Sequence, residues 1–598
     1  MRTPTTLHLM ARAAALTALL AGAALSHAAT QGPADDSFYT YPASPPAGQA
    51  GDLISYRPTS VKLGTGAPAA QAWNVIYQSR DSLDVDNVVS GTVLVPSAPW
   101  SGSGTRPVIL YAVGTHGLAN GCAPSRQLAN GTDYEIANIN AALKAGYAVL
   151  VSDYEGYLNG GASTYLAGAS QGHAILDMFK AAQAIPGVGI DAKTKVGIWG
   201  YSQGGQTAAW AAELLPTYAP GLNVVGVAAG GIPADFIASA YNLDGRNGAA
   251  FLASGVAGLN AQYPETVAID LIASEAGFAA LDKLKTQCVF EALFDLQNKS
   301  LKDFTRGNAG LDQVLKIKPI KDTLMAQNLG TQPITVPMYQ YHGQADEFIP
   351  LDQDVALKRA YCAKFPQVQF DLYPSEHIVT QFQAAGPALA WMSDRMAGRP
   401  APNNCSNTAP TPPSTANDNT GDLVVTLDKW PLAATVGLKT LAQTVTLPAA
   451  STFTAKSNIT KNTLDGTLNV PEFNQIINLL GLKLPVGIRV TPVGNVTGKV
   501  SLDNGGQLHI AANAQTHITV TSILGIPFGE CKTVSPVNFP INYDGPLSSL
   551  GNGNLTFGGT TSFPQIKGCF ISGILSAFMS GNGQTYKFTV SPPAPTPF

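Results

Sequence analysis

The feature that most constrains this fold is a break in pattern near two thirds of the chain. From Cys405 to Gly421 the sequence reads CSNTAPTPPSTANDNTG, almost without large apolar residues and dense in Pro, Thr, Asn and Ser, the composition of a linker. Before it, short β-branched runs (Arg106 to Val113, Tyr147 to Ser152, Lys195 to Trp199, Val336 to Tyr341) alternate with longer alanine-rich periodic stretches. That alternation predicts a mostly parallel sheet covered by helices. After it, alternating Val, Thr, Leu and Ile segments such as Leu423 to Leu427, Gly487 to Thr491, Leu508 to Ala512 and Thr516 to Ser522 are punctuated by Asn-Gly, Asp-Gly and Gly-Asn. This predicts an all-β, sandwich-like module in which only Pro471 to Leu482 reads as helical. At 598 residues the chain also exceeds what one core usually organises.

The expected organisation is a leader over residues 1–28, an α/β unit over 29–404, a linker over 405–420 and a β-rich unit over 421–598. Arg2 and Arg12 precede an apolar run from Ala13 to Leu25, and Ser26-His27-Ala28 supplies small residues for cleavage, the layout of a secretory signal. The run is too short for a membrane span, and no later segment reaches spanning length. Residues 232–332 carry several helical patterns (Ala250 to Leu259, Pro264 to Ala273, Cys288 to Gln297), an insertion that would overhang the strand ends as a cap. In the β-rich unit the apolar loop Ile523-Leu524-Gly525-Ile526-Pro527-Phe528 reads as exposed, which points to a lipid or cell-envelope surface as a partner. A net charge of −4 without a block of like charge excludes nucleic acid.

Export changes the meaning of the six cysteines. No close Cys-x-x-Cys pair is present, so a sparse even set reads as structural bridges. Closing each bridge within its own unit favours Cys122 with Cys288, Cys362 with Cys405, and Cys531 with Cys569. With no Walker loop, no Gly-x-Gly-x-x-Gly after a strand and no His-Glu-x-x-His, neither a cofactor nor a metal is expected.

Two pentapeptides match Gly-x-Ser-x-Gly, one around Ser170 and one around Ser202. A nucleophile at a tight turn needs a strand entering and a helix leaving. Ser202 has both, following Lys195-Val196-Gly197-Ile198-Trp199 and preceding Gly204 to Ala212, whereas Ser170 has no preceding strand and reads as a helix-start or packing residue. A serine hydroxyl needs a neutral imidazole to take its proton and a carboxylate to orient that ring. Chain order Ser, acid, His leaves His377 as the base among His116, His173, His342 and His377, placed in a loop beyond the strand Val368 to Tyr373. Asp346, beyond the strand ending at Tyr341, is the expected acid, with Glu347 as its rival by a one-residue shift of the turn. The N–H of Gln203 and a donor from Thr115 or His116, in the glycine-flanked loop Gly114 to Gly117, would form an oxyanion hole. Asp153-Tyr154-Glu155-Gly156 reads as a polar strand end.

Together, Gly200-Tyr201-Ser202-Gln203-Gly204-Gly205, His342-Gly343 with Asp346 and Ile349-Pro350, His377, Cys122-Ala123-Pro124-Ser125 and Asp153-Tyr154-Glu155-Gly156 make the chain resemble the secretory lipases of fungi and actinobacteria, the group of the yeast lipase A type, over roughly residues 40 to 405. The resemblance implies an α/β-hydrolase with a helical cap, a triad of Ser202, Asp346 and His377, bridges Cys122 to Cys288 and Cys362 to Cys405, and activity on acylglycerols or related esters. Residues 421 to 598 lie outside that likeness. Two other readings stand beside it: an esterase on aryl or polymer esters, and a catalytically inactive protein that binds the envelope through its β module.

Overall fold

A computed structural model describes residues 29–40, 46–64, 66–416, 421–479, 481–547 and 554–598. The expected leader, residues 1–28, and the last four linker positions lie outside them.

The first part of the chain is built on an eleven-stranded mixed sheet. Six strands run parallel in the spatial order Ala148–Tyr154, Val108–Ala112, Val196–Tyr201, Val224–Gly230, Met338–Gly343 and Val368–Tyr373. Helices cover both faces, so these strands are buried on both sides and read as near-continuous apolar runs. The antiparallel strands Leu53–Pro58, Ala70–Arg80 and Asp86–Pro96 extend one edge.

Between Val224–Gly230 and Met338–Gly343 the chain leaves the sheet through a run of helices, of which Phe236–Leu243, Ala249–Gln262, Glu275–Leu284, Val289–Leu296 and Lys318–Ala326 are the longest. The helical pattern expected over Pro264 to Ala273 contracts to the single turn Ile269–Ile272. The bridge Cys122–Cys288 ties the start of Val289–Leu296 to the segment beyond strand Val108–Ala112, and Cys362–Cys405 ties helix Leu351–Lys364 to the start of the linker.

The second part is β-rich, and its described residues form one thirteen-stranded sheet with every pairing antiparallel. Its longest strands, Val424–Leu438 and Gln507–Ile523, each pair along successive halves with different neighbours, which bends the sheet. The Thr561 hydroxyl donates to the Asn538 carbonyl at 2.5 Å, so strands Leu555–Phe563 and Val537–Pro546 lie alongside and the sheet curls around an apolar interior. Cys531–Cys569 is bridged within this part.

The helix expected over Pro471 to Leu482 is instead a hairpin, Phe473–Leu479 returning as Leu482–Pro492 through Gly481 at φ +86°. Its residues alternate between the interior and solvent, Ile477 buried and Ile476 62% exposed, a period-two pattern that a helix cannot satisfy. A helix the sequence did not announce, Ser572–Met579, follows the last cysteine.

The chain then comes back to the first sheet. Thr596–Pro597 pairs antiparallel with Leu372 and Asp371 at its far edge, and Phe598 packs with Leu351, Val355 and Phe370. The two parts also share a continuous apolar core in which Leu243, Phe348, Ile349 and Phe382 join the interior of the β part.

Candidate active site

Strand Val196–Tyr201 ends in a turn too sharp for an ordinary residue: Ser202 sits at φ +58°, ψ −121°, and helix Gln203–Tyr218 leaves at once. A non-glycine residue at positive φ is strained and persists only where the surroundings hold it. Here the holding is steric. A Cβ on Gly204 would lie 1.9 Å from the Ala112 carbonyl oxygen and one on Gly200 would lie 2.2 Å from the Gly204 carbonyl oxygen, so helix and strands approach too closely for any side chain. The turn presents the Ser202 hydroxyl at the carboxyl end of the sheet.

The ring of His377 meets that hydroxyl, with Nε2 at 2.9 Å from Ser202 Oγ and Nδ1 at 2.6 Å from Asp346 Oδ2. With Nδ1–H donating to the carboxylate, Nε2 is left to accept the serine proton. His377 is the first residue of helix His377–Gln383 rather than a loop residue. Glu376 caps that helix, accepting from the N–H groups of Ile378 at 2.5 Å and Val379 at 2.8 Å. The Tyr201 hydroxyl donates to the His377 carbonyl at 2.7 Å, and the His377 N–H donates to Glu347 Oε2 at 3.2 Å.

Asp346 is fully buried, and its Oδ1 accepts from the N–H groups of Phe348 and Ile349 at 2.9 and 2.8 Å. Burial pushes its carboxyl up, but the His377 ring, the hydrogen bond to it, the His342 ring and the Ile349 N–H outweigh burial and hold it below the ordinary carboxylate range. The rival Glu347 takes the main-chain N–H of His377 rather than the ring. Burial and the charges of Glu376 and Asp346 drive its carboxyl well above the usual range, and burial above all lifts Glu376 to about 7. Of three acidic residues around one imidazole, the one bonded to the ring is the one held ionised.

The remaining sequence candidates separate clearly. Ser170 lies inside helix Gly168–Gln183, its hydroxyl donating to Glu155 at 2.8 Å. His173, on the same helix, stacks on Tyr218 with ring centres 4.0 Å apart. His342 is buried between Asp354 at 2.6 Å and the Ile349 carbonyl at 3.1 Å. Asp153 accepts from Ser90 Oγ, Ser125 N and Ser125 Oγ, fixing a strand end to the start of helix Pro124–Asn130.

The loop Gly114 to Gly117 is held from several sides. His116 binds Asp133 at 3.1 Å and the Gly114 carbonyl at 2.9 Å through its ring, and its carbonyl accepts from Val289 N–H at 3.0 Å. Thr115 Oγ1 bonds the Tyr165 hydroxyl at 2.8 Å. Gln203 opens its helix, so its N–H belongs to the first turn, where donors have no intrahelical acceptor.

Above Ser202 and His377 lies a cavity of about 100 Å³. Its wall is almost wholly apolar, with Phe236, Leu243, Val256 and Leu259 from the helical segment facing Phe348 and Ile349. Among the described residues no cluster of three or more His, Cys, Asp or Glu is placed to hold a metal.

Sequence reasoning missed Glu376, Tyr201 and Tyr165 as supports of this arrangement. Only Glu376 carried a signal, an acidic residue immediately before a helix.

A family model described as secretory lipase matches residues 123–404. The secreted triacylglycerol lipase LIP5 of Malassezia globosa is 32% identical over 351 residues, 56% of this chain and 72% of that protein. A protein of Mycobacterium tuberculosis named a probable inactive lipase is 29% identical over 379 residues, 62% of this chain and 83% of its own length. Among solved structures, Candida antarctica lipase A superposes with a TM-score of 0.55 at 24% identity, over 62% of this chain and 87% of that one, and shares the α/β-hydrolase fold. A strained serine between strand and helix, a ring bonded to it and a relative of this identity lead to one conclusion: the chain belongs to the secretory lipase family.

Proposed function

We propose that the protein is a secreted carboxylic ester hydrolase of lipase type, cleaving acylglycerols or related lipid esters through an acyl-enzyme on Ser202. The observation that carries this reading is the unbroken chain of hydrogen bonds from Ser202 Oγ through the His377 ring to Asp346 Oδ2, at 2.9 and 2.6 Å, beneath an apolar cavity. Ser202 attacks the ester carbonyl as His377 Nε2 takes its proton, and Asp346 steadies the imidazolium. The oxyanion falls to the N–H of Gln203 and to a main-chain N–H of Thr115 or His116 in the loop Gly114 to Gly117. His377 then returns its proton to the leaving alcohol, and water repeats the cycle on the acyl-enzyme. The helical segment acts as a cap that excludes water and receives the acyl chain.

Secretion is supported by the family, by the leader pattern and by three bridges that belong to an oxidising compartment. Leu524 and Ile526 are 59% and 66% exposed at a hairpin tip whose return strand is bridged to the segment carrying Phe570, 88% exposed. This supports seating of the β part on a lipid surface, which vesicle co-sedimentation checks: Leu524→Ser with Ile526→Ser and Phe570→Ser abolishes it.

A panel of para-nitrophenyl esters of increasing chain length tests the chemistry. Wild type and Ser170→Ala hydrolyse them and Ser202→Ala does not. Full turnover by Ser202→Ala removes Ser202 as the nucleophile, and no turnover by wild type leaves the inactive envelope-binding alternative, a fate with precedent in the name of the mycobacterial relative.

A further inference from the structure

The curled sheet encloses a cavity of about 110 Å³ whose wall, among the described residues, is apolar except for Ser457 and Thr516. A second cavity, of about 90 Å³, lies between this module and the helix that begins at His377. Leu427, Ser457, Ile510 and Leu555 line both, so the two meet at a common wall. The floor of the second is Glu376, Ile378, Val379 and Gln383, the residues flanking the base of the triad.

Protein interiors are close-packed, and unfilled apolar volume costs stability. Here the wall carries Ala455 and Ala514, both buried, where one larger side chain would close the space. Two buried groups on these walls, the Trp430 indole N–H and the Thr516 hydroxyl, have no hydrogen-bond partner in the protein. Buried polar groups are almost always paired, and a ligand carrying acceptors in these cavities would supply the partners both lack. Among the described lining residues none is cationic, and the one ionisable group is Glu376. A carboxylate ligand would find no counter-charge and would meet an acid that is itself lifted to about 7 by burial.

We infer that the interior of the β module is a binding site for an acyl chain of a neutral lipid ester, held beside the catalytic helix and distinct from the pocket over Ser202. The module is then a substrate-holding part of the enzyme rather than an appendage. That the ester is the one hydrolysed rests on the function proposed above, but binding is read without turnover and stands or falls separately.

The test uses the full chain, a non-hydrolysable dialkyl glycerol ether brominated at mid-chain, and tryptophan fluorescence, which bromine quenches on contact. Trp430 lines the second cavity and no tryptophan lines the described wall over Ser202, so quenching reports this site. Saturable quenching is expected in wild type and in Ser202→Ala, and its loss in Trp430→Phe. Ala455→Phe and the milder Ala514→Leu fill the interior and weaken binding about tenfold, while turnover of a short-chain ester stays within twofold of wild type. Equal quenching in wild type and Trp430→Phe, or unchanged binding in both filled variants, overturns the site. Dibromostearate at pH 8 is expected to bind at least about tenfold more weakly than the ether, and equal affinity overturns the assignment to a neutral ester.

Discussion

Around His377 three carboxyl groups crowd one imidazole, and their roles are set by which atom each touches. Asp346 accepts a hydrogen bond from the ring N–H while two main-chain N–H groups hold its other oxygen. Glu347 accepts from the His377 main-chain N–H and not from its ring, and Glu376 caps the helix. Replacing Asp346 by Asn removes the charge opposite the imidazolium and inverts the favoured tautomer, so kcat should fall by about 10⁴-fold on a soluble ester. Glu347→Gln, which keeps an acceptor for the same N–H, should stay within about tenfold of wild type. The reverse order of effects would make Glu347 the acid. The order Ser, acid, His pointed to Ser202 and His377 from the sequence, because the strand, the glycines and the helix around Ser202 leave a pattern. The choice between Asp346 and Glu347 had no such trace. It turns on a single residue of turn geometry, which the N–H groups of Phe348 and Ile349 fix.

At the level of elements, the turn at Ser202 and the bridge Cys122–Cys288 do comparable work. Gly204→Ala would thrust a methyl group into the Ala112 carbonyl, and we expect a loss of at least about 2 kcal/mol in urea unfolding with turnover lowered in parallel. An unchanged midpoint would show that the strand and helix have room to part. The bridge spans 166 residues of sequence and sits beside the backbone pairing of Gly117 with Cys288. Opening it with Cys122→Ser and Cys288→Ser frees the loop that holds Thr115 as well as the chain. Stability should drop by about 3–5 kcal/mol in the chain-entropy model, and kcat should fall more than KM rises. A KM effect alone would confine the bridge to the substrate pocket. Central strands of the first sheet such as Val108–Ala112, Ala148–Tyr154 and Val196–Tyr201 were legible because they are apolar runs buried on both faces. The hairpin at Phe473–Leu479 was not, since Pro471, Glu472 and an Asn/Gln-rich start resemble a helix opening until the neighbouring strands impose a period of two. Thr596–Pro597 is too short to show any period at all.

Over the whole molecule, burial of acids gives stability a definite slope with pH. Burial, the largest influence in each case, lifts Glu376 and Glu135 from 4.5 to about 7 and Asp177 from 3.8 to about 7. Between those values the folded state holds protons that the unfolded chain has released, so the stability these three groups contribute is full below the ordinary carboxylate range and is lost as pH rises through about 7. The opposite influence of Asp346, depressed when folded, is confined to pH below the carboxylate range. The melting temperature should therefore drop by about 2–4 °C from pH 5 to pH 8, and the slope should flatten in Glu376→Gln. A rising melting temperature over that interval would contradict these assignments. The division into an α/β part and a β part was legible in the change of pattern after Cys405. The shared core and the return of the chain end to the first sheet were not, because Leu243, Phe348 and Phe382 read as ordinary apolar residues until the β part is packed against them.

In the proposed chemistry Ser202 carries the one activated hydroxyl. The most direct measurement is reaction of the intact protein with a p-nitrophenyl alkylphosphonate, followed by mass spectrometry of its peptides. One equivalent of nitrophenolate should be released, with one adduct on the peptide containing Ser202 and none in His377→Ala. An adduct on Ser170, or a full rate of labelling in His377→Ala, would contradict it.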